Sequence, residues 1–337
     1  LYNDRVLTLR EKFRGCLLGA VIGDVAGAVV EAESPGYIAK TYRSIDEILR
    51  TDRVPEFSGP DWQVGRFTDD TQMTLCVAEW LLADQSHSAE QLLARFAQAY
   101  QPWRRYGSGT EMILRMFPQH RAQWCELSTV MFPHGSYGNG SAMRVAPIGL
   151  AHFNDLKKAS SIAIESSRPT HSHPLAYQGA VLQCIALAIA TASAEFTAST
   201  FLQPLRGGLS YFTGLMQDTS KFDLALDEIE RGLRRGAKCA EMSAILGTGI
   251  AAYEAVPMAL YCFLRHFDSL EQVVHEAIFN GGDTDTIACM AGAISGAFLG
   301  KGAIPPRWLE AIREEQYTAV FFESLADRLF AKYSSVD

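Results

Sequence analysis

The sequence predicts an all-α protein, on three observations. Apolar residues recur at helical spacing almost throughout, as at Leu75, Ala78 and Leu82, or Val181, Ile185 and Ala188. Clean period-two alternation, the mark of a half-buried strand, is hard to find. Two stretches carry small residues at every fourth position: Gly15, Gly19, Gly23 and Gly27 near the start, then Ala288, Gly292, Gly296 and Gly300 near the end. An interior glycine costs a helix about 1 kcal/mol relative to alanine, so such rows need a compensating gain, and close approach of another helix supplies it. These two are expected to be the buried central helices.

In chain order, the glycine-rowed helix is predicted over 8–30. Periodic apolar positions then predict helices over 71–84, 89–100, 109–116, 156–166, 174–193, 198–214, 223–235, 253–266 and 270–279. The second small-residue helix is expected over 286–299 and a last one over 307–330. Stretches 51–67 and 132–140 lack periodicity and carry Gly, Pro, Asp and Ser, so they read as loops. No internal repeat, heptad array or low-complexity tract interrupts the chain. A length of 337 residues admits two domains or one large core. The acidic segments near 31, 69 and 284 share a site only if both ends of the chain meet, so a single domain over 1–337 is expected.

Thirty Lys and Arg against thirty-eight Asp and Glu leave a net charge of −8, which argues against a basic surface for nucleic acid. An anionic ligand would need a local pocket. The seven cysteines are scattered, mostly in apolar helical stretches and without a CxxC pair, and read as reduced core residues of an intracellular protein. Charges stand where a secretory apolar segment would lie. The apolar runs at 16–30 and 287–299, taken as the only membrane suspects, fall short of the roughly 20 residues needed to span a bilayer, and the first contains Asp24.

Chemistry concentrates in three segments: Phe67-Thr68-Asp69-Asp70-Thr71, Gly281-Gly282-Asp283-Thr284-Asp285-Thr286, and Glu31 closing the first glycine-rowed helix. Acids at helix starts are ordinary caps taken singly, and Asp69 with Gln72 is spaced like a capping box. Jointly the segments are less ordinary. Both pair carboxylates with threonine hydroxyls at the mouths of deeply placed helices, and neither motif contains Lys or Arg to neutralise them. Oxygen-only donors favour Mg²⁺, Mn²⁺ or Ca²⁺ over zinc. Up to five carboxylates suit two ions, because one Mg²⁺ usually takes one or two carboxylates and keeps water. Two-metal sites serve hydrolysis. His171-Ser172-His173 before Pro174 reads as loop and cap chemistry rather than a zinc pair. The glycines of Phe132-Pro-His-Gly-Ser-Tyr-Gly-Asn-Gly140 expose backbone N–H groups suited to a diphosphate, with Phe132 and Tyr137 as stacking platforms; Arg105 to Gly109 is a second, similar turn.

Together these motifs resemble the ADP-ribosylglycohydrolase family, through Gly15 to Asp24 leading to Glu31-Ala32, Phe67 to Thr71, Gly135 to Arg144, Thr170-His171, Gly249 to Pro257 and Gly281 to Thr286. The segments Gly135 to Arg144 and Gly249 to Pro257 narrow the resemblance to the branch acting on serine-linked ADP-ribose and poly(ADP-ribose). The resemblance implies a compact orthogonal helical bundle around a binuclear magnesium cleft, with Mn²⁺ as a substitute. Its implied metal ligands are Glu31, Thr68, Asp69, Asp70, Asp283, Asp285 and Thr286, with Glu31 also assisting proton transfer. Gly107, Gly109, Phe132, Gly135, Ser136, Tyr137, Asn139, His171, Gly249 and Ile250 are implied to hold ADP-ribose. The implied partners are ADP-ribose, serine-ADP-ribosylated proteins and poly(ADP-ribose), with O-acetyl-ADP-ribose as a further substrate. No membrane and no sequence-specific nucleic acid is expected, and the protein is expected to be a monomer in cytoplasm and nucleus, with mitochondria as a further compartment. Two rivals stay open: hydrolysis of arginine-linked ADP-ribose, and a non-catalytic ADP-ribose-binding or structural relative.

Overall fold

The two small-residue helices, Leu9–Gly27 and Thr284–Leu299, pack antiparallel with their backbones in contact. A Cβ added to Gly15 would lie 2.3 Å from Gly296 O, one on Gly19 2.2 Å from Gly292 O, and one on Gly23 2.1 Å from Ala288 O. No side chain fits this seam, which is why the glycines recur at every turn. The Thr284 hydroxyl closes it by donating to Gly27 O at 2.8 Å. The end of the first helix is thereby fixed beside the start of the last.

The computed structural model describes residues 7–55, 61–83, 86–193, 195, 197–211 and 218–334. Around the central pair stand the helices Asp69–Ala83, Ala89–Ala99, Ser108–Met116, Leu156–Ser167, Pro174–Ala192, Ala198–Leu209, Ser220–Arg234, Ala252–Arg265, Leu270–Phe279 and Ala319–Tyr333. No strand occurs among the described residues, where the one extended pairing is an isolated antiparallel bridge between Gly138 and Ala251. The all-α expectation holds. The predicted loops at 51–67 and 132–140 lack long helices where described; residues 56–60 of the first, residue 84 of the predicted 71–84 helix and residues 212–214 of the predicted 198–214 helix lie outside the described residues.

Five short α-helices among the described residues escaped the periodicity, one of them the four-residue Trp124–Leu127. Pro35–Thr41 buries only Ile38, and Ile45–Arg50 is six residues long, so neither is long enough to show a repeat. Ala146–Ala151 is buried on all sides and has no polar face. Cys239–Leu246 spans eight residues. The helix predicted over 307–330 is in fact two, Pro306–Leu309 and Ala319–Tyr333. Tertiary contacts extend the chain between them: Arg313 N donates to Gly65 O at 2.8 Å, Glu314 pairs with the buried Arg104 at 2.8 Å, and the Tyr317 ring meets Phe67 edge-on at 5.6 Å.

All seven cysteines are free thiols, and all but Cys125 are buried. The membrane reading needs one correction. Pro174–Ala192, 19 residues long with mean hydropathy 1.6, is long and apolar enough to span a bilayer, although it was not among the suspects. It passes that test because it is a core helix: 78% of its apolar window is buried against the rest of the fold.

Candidate active site

Because the glycine seam joins the two ends of the chain, the turn after Leu9–Gly27 lies against the turn before Thr284–Leu299. Ala32, in the left-handed region at φ 62°, donates its N–H to Gly282 O at 2.9 Å. Gly281 and Gly282 also have positive φ, and a Cβ on Gly282 would lie 2.1 Å from Thr248 O. That same carbonyl accepts Asp283 N–H at 2.8 Å. With the acidic turn clasped from both sides, carboxylate oxygens of Glu31, Asp283 and Asp285 lie within 4.8 Å of one another.

Asp24 brings in the third segment. Fully buried, its carboxylate accepts the backbone N–H and hydroxyl of both Thr68 (3.0 and 2.9 Å) and Thr71 (3.0 and 2.6 Å). This fixes the first turn of Asp69–Ala83 against the first helix, so Asp69 and Asp70 face the same cleft. Asp70 Oδ2 accepts weakly from the Thr68 and Thr286 hydroxyls at 3.4 and 3.3 Å, while its buried Oδ1 has no hydrogen-bond partner among the described residues.

The capping readings do not survive. Asp69 is the first helical residue, and Gln72 Oε1 accepts the Tyr106 hydroxyl at 2.5 Å instead of closing a box. Asp283 occupies the N-cap of the last long helix but makes no side-chain cap bond; its Oδ2 accepts from Asn139 Nδ2 at 2.5 Å. One positive charge does reach the cluster from outside the motifs. Arg105, itself at φ 62° and laid over the Trp62 ring, pairs with Glu31 at 3.0 Å and donates to Ala28 O at 2.8 Å.

Electrostatics match the crowding. Burial, and then the charge of Asp285, raises the Glu31 carboxyl to about 8 against the opposing pull of Arg105. The same two causes raise Asp24 to about 6, and Asp69, Asp70 and Asp283 well above the ordinary carboxylate range. Such carboxyls bind more protons folded than unfolded, so without a cation their contribution to stability is full at low pH and lost as pH rises. For Glu31 that window runs from 4.5 to about 8. In EDTA the melting temperature is expected to fall from about pH 5 to about pH 8, and magnesium should restore most at the upper end; a flat profile in EDTA would show that the cluster is not strained.

A divalent cation answers this arrangement: the donors are hard oxygens, they repel one another, and Asp70 Oδ1 is a buried acceptor left open. Beside them the cleft encloses about 210 Å³, several times the ~30 Å³ share of one water molecule, so hydrated ions have room.

Of the residues expected in the site, Glu31, Asp69, Asp70, Gly107, Gly109, Phe132, Ser136, Asn139, His171, Ile250, Asp283, Asp285 and Thr286 line this cleft. Thr68 is set behind it, its hydroxyl committed to Asp24. Gly135, Tyr137 and Gly249 do not line it. Gly135, at φ 80°, is packed on Ser172 and His173, and the half-exposed Tyr137 ring stands between His173 and Tyr253. Gly249 N–H is bound by Glu254 at 3.0 Å. The loop is nevertheless in place, because Asn139 N–H donates to Ile250 O and Ala252 N–H to Tyr137 O, both at 2.9 Å. Gly138 and Gly140 leave room for the His171 ring, which a Cβ on Gly140 would meet at 2.8 Å. Burial first, then Arg144, lowers His171 to about 3, so its ring is neutral; Nδ1 shares a hydrogen bond with the Thr170 hydroxyl at 2.7 Å. Phe132 faces Gly109 across the mouth.

Asp24 and Arg105 were not read as site residues. A lone carboxylate amid the apolar positions of a glycine-rowed helix was the available signal for the first; the second stood only at the start of the Arg105 to Gly109 turn, and its pairing with Glu31, 74 residues away, left no local mark.

A helical enclosure gathers carboxylates from both ends of one chain around this cleft, and its relatives identify the class as glycosyl hydrolase. Residues 5–337 match the family model described as ADP-ribosylglycohydrolase, and the chain belongs to that family. It is similar to "ADP-ribosylhydrolase ARH3" of Bos taurus, at 34% identity over 95% of this chain and 93% of the relative, and to that of Homo sapiens, at 33% over 95% and 94%. An uncharacterized protein of Archaeoglobus fulgidus is 32% identical over 96% of this chain and 97% of its own length. A solved structure described as an "ADP-ribosylglycohydrolase-related protein complex" superposes with a TM-score of 0.68 at 25% identity, covering 96% of this chain and 98% of that one. The chain is thus a glycosyl hydrolase of ADP-ribosylated substrates, in a family that depends on metal ions in general.

Proposed function

We propose that this protein, as a single domain over 1–337, hydrolyses the O-glycosidic bond at C1 of the distal ribose in serine-linked ADP-ribose and in poly(ADP-ribose), with O-acetyl-ADP-ribose as a further substrate. The observation that carries the reading is the convergence of Glu31, Asp283 and Asp285 within 4.8 Å, beside Asp69 and Asp70, on a cleft where, among the described residues, Arg105 with Glu31 is the one ion pair to the cluster. The similarity to the ARH3 proteins over nearly their whole length supports the serine-directed branch.

Two magnesium ions, or manganese in their place, would be held by Glu31, Asp69, Asp70, Asp283, Asp285, Thr286 and, from behind, Thr68; such ions polarise substrate oxygens and acidify a bound water. The chain's own residues do the rest. Asn139 holds Asp283 in orientation, and Asp24 holds the start of the Asp69–Ala83 helix. The neutral His171, Ser136 and the glycine-rich turns offer hydrogen bonds to an anionic nucleotide without a basic patch, and the exposed Phe132 and Ile250 form apolar lips. Glu31 sits on a turn at the cleft edge, with a quarter of its side chain exposed, and is the carboxyl placed to pass a proton toward the departing serine oxygen.

Parallel assays on serine-linked and arginine-linked ADP-ribosyl peptides, with magnesium and with EDTA, test this. Release from serine that EDTA abolishes is expected; faster release from arginine would move the protein to the other branch. Glu31→Gln keeps the shape and the Arg105 contact but has no carboxyl proton to give to the leaving oxygen. It should lower kcat and kcat/KM together, by roughly 10²–10⁴-fold as for loss of a general acid–base group, while ADP-ribose affinity changes little. Lost affinity with an unchanged rate would make Glu31 a ground-state anchor.

A further inference from the structure

Away from the cleft, a second group of metal-ligating side chains converges from three separate helices. Donor atoms of Cys239, His266 and Glu276 lie within 4.8 Å of one another. Cys239 is the first residue of Cys239–Leu246, His266 caps the end of Ala252–Arg265, and Glu276 lies on Leu270–Phe279. Cys262 stands four residues before His266, one helical turn away, and is buried. We propose that Cys239, His266 and Glu276, with solvent completing the tetrahedron, form a zinc site that braces the wall of the substrate cleft.

The donor chemistry separates this place from the active site. Thiolate with imidazole selects zinc over magnesium, whereas the all-oxygen cleft has the opposite preference. Zinc bonds of about 2.0–2.3 Å set tetrahedral ligands roughly 3.3–3.8 Å apart, so donors already within 4.8 Å need close by only about 1 Å. Cys239 is buried, but His266 and Glu276 are partly exposed and leave a path for an ion from solvent. Glu276 already has an outer partner, since Asn280 Nδ2 reaches its Oε2 at 3.4 Å.

The position gives the ion a task. Cys239–Leu246 runs directly into Gly247 to Ala251, whose Thr248 carbonyl holds Asp283 and whose Ile250 carbonyl holds Asn139. Leu270–Phe279 runs directly into the Gly281-Gly282-Asp283 turn. One zinc ion would tie together the roots of the two segments that form this side of the cleft.

The test uses the whole chain, reduced, stripped by chelator and kept in excess magnesium. Zinc is titrated against a chromophoric chelator, and cobalt is added separately to read thiolate ligation from its near-ultraviolet charge-transfer band. One tight equivalent and the band are expected in wild type and in Asp285→Asn. Cys239→Ser, His266→Gln and Glu276→Gln should each weaken zinc by at least the roughly 100-fold that losing an outer partner can cost; far-UV circular dichroism checks that each is folded, and the partly exposed Glu276 gives the mildest variant. Absence of the band, zinc uptake that survives Cys239→Ser, or a Cys239–Cys262 disulfide that persists in reductant without zinc uptake would each overturn the proposal.

Discussion

Asp285→Asn is expected to lower turnover on an ADP-ribosylated peptide by about 10³-fold or more, roughly 4 kcal/mol of transition-state stabilisation. The same substitution should make the metal-free protein more stable. Asp285 is a named source of the repulsion felt by Asp24, Glu31, Asp69, Asp70 and Asp283, and removing its charge relieves all five. Melting curves in EDTA should therefore shift upward relative to wild type, while the upward shift that magnesium gives wild type should shrink or vanish. Activity bought at the expense of stability is the pattern of a site that concentrates like charges. Wild-type turnover in the variant, or an unchanged response to magnesium, would sink the metal-centre reading; a lower melting point in EDTA would instead make Asp285 a structural partner.

Gly19→Ala should cost about 3 kcal/mol or more, at or above the upper end of ordinary overpacking. Alanine is the better helix former by about 1 kcal/mol, so intrinsic propensity alone predicts the opposite sign. The added Cβ would lie 2.2 Å from the Gly292 carbonyl oxygen, backbone that cannot step aside without parting the two central helices. Gly36→Ala is the control, because nothing stands within 4 Å of its added Cβ; it should be neutral or slightly stabilising. Urea unfolding of the pair decides the point, and equal stability of the two variants would mean that the seam is looser than the structure has it.

Much of this was legible in the chain. Long amphipathic or apolar helices declared themselves by period, and the two glycine rows declared that something must approach closely. What they did not declare was that each row's partner was the other, antiparallel, since a small-residue stripe records the closeness of a neighbour and not its identity. The acids of the cleft could be picked out because they come in pairs with threonine. Asp24 could not, because its function is to hold threonines that lie 44 and 47 residues away. The split of the predicted 307–330 helix was illegible for a similar reason: no Gly or Pro breaks it, and the cause is a carbonyl on Gly65 and a guanidinium on Arg104. The Tyr137 loop was found by its glycines, but its pairing to Ile250 to Ala252 leaves the ring beside His173 and Tyr253.

The antiparallel seam also sets when, during synthesis, the enzyme can come into being. Its hydroxyl clasp from Thr284 to Gly27 closes a loop of 257 residues, for which chain entropy alone costs roughly 5 kcal/mol. Until the final helices have left the ribosome, the first helix has no partner for its glycine face and Glu31 has no Asp283 or Asp285 beside it. A nascent chain stalled before Thr284 would expose an apolar, aggregation-prone helix and hydrolyse nothing, so competence for catalysis and completion of the fold arrive in the same late step.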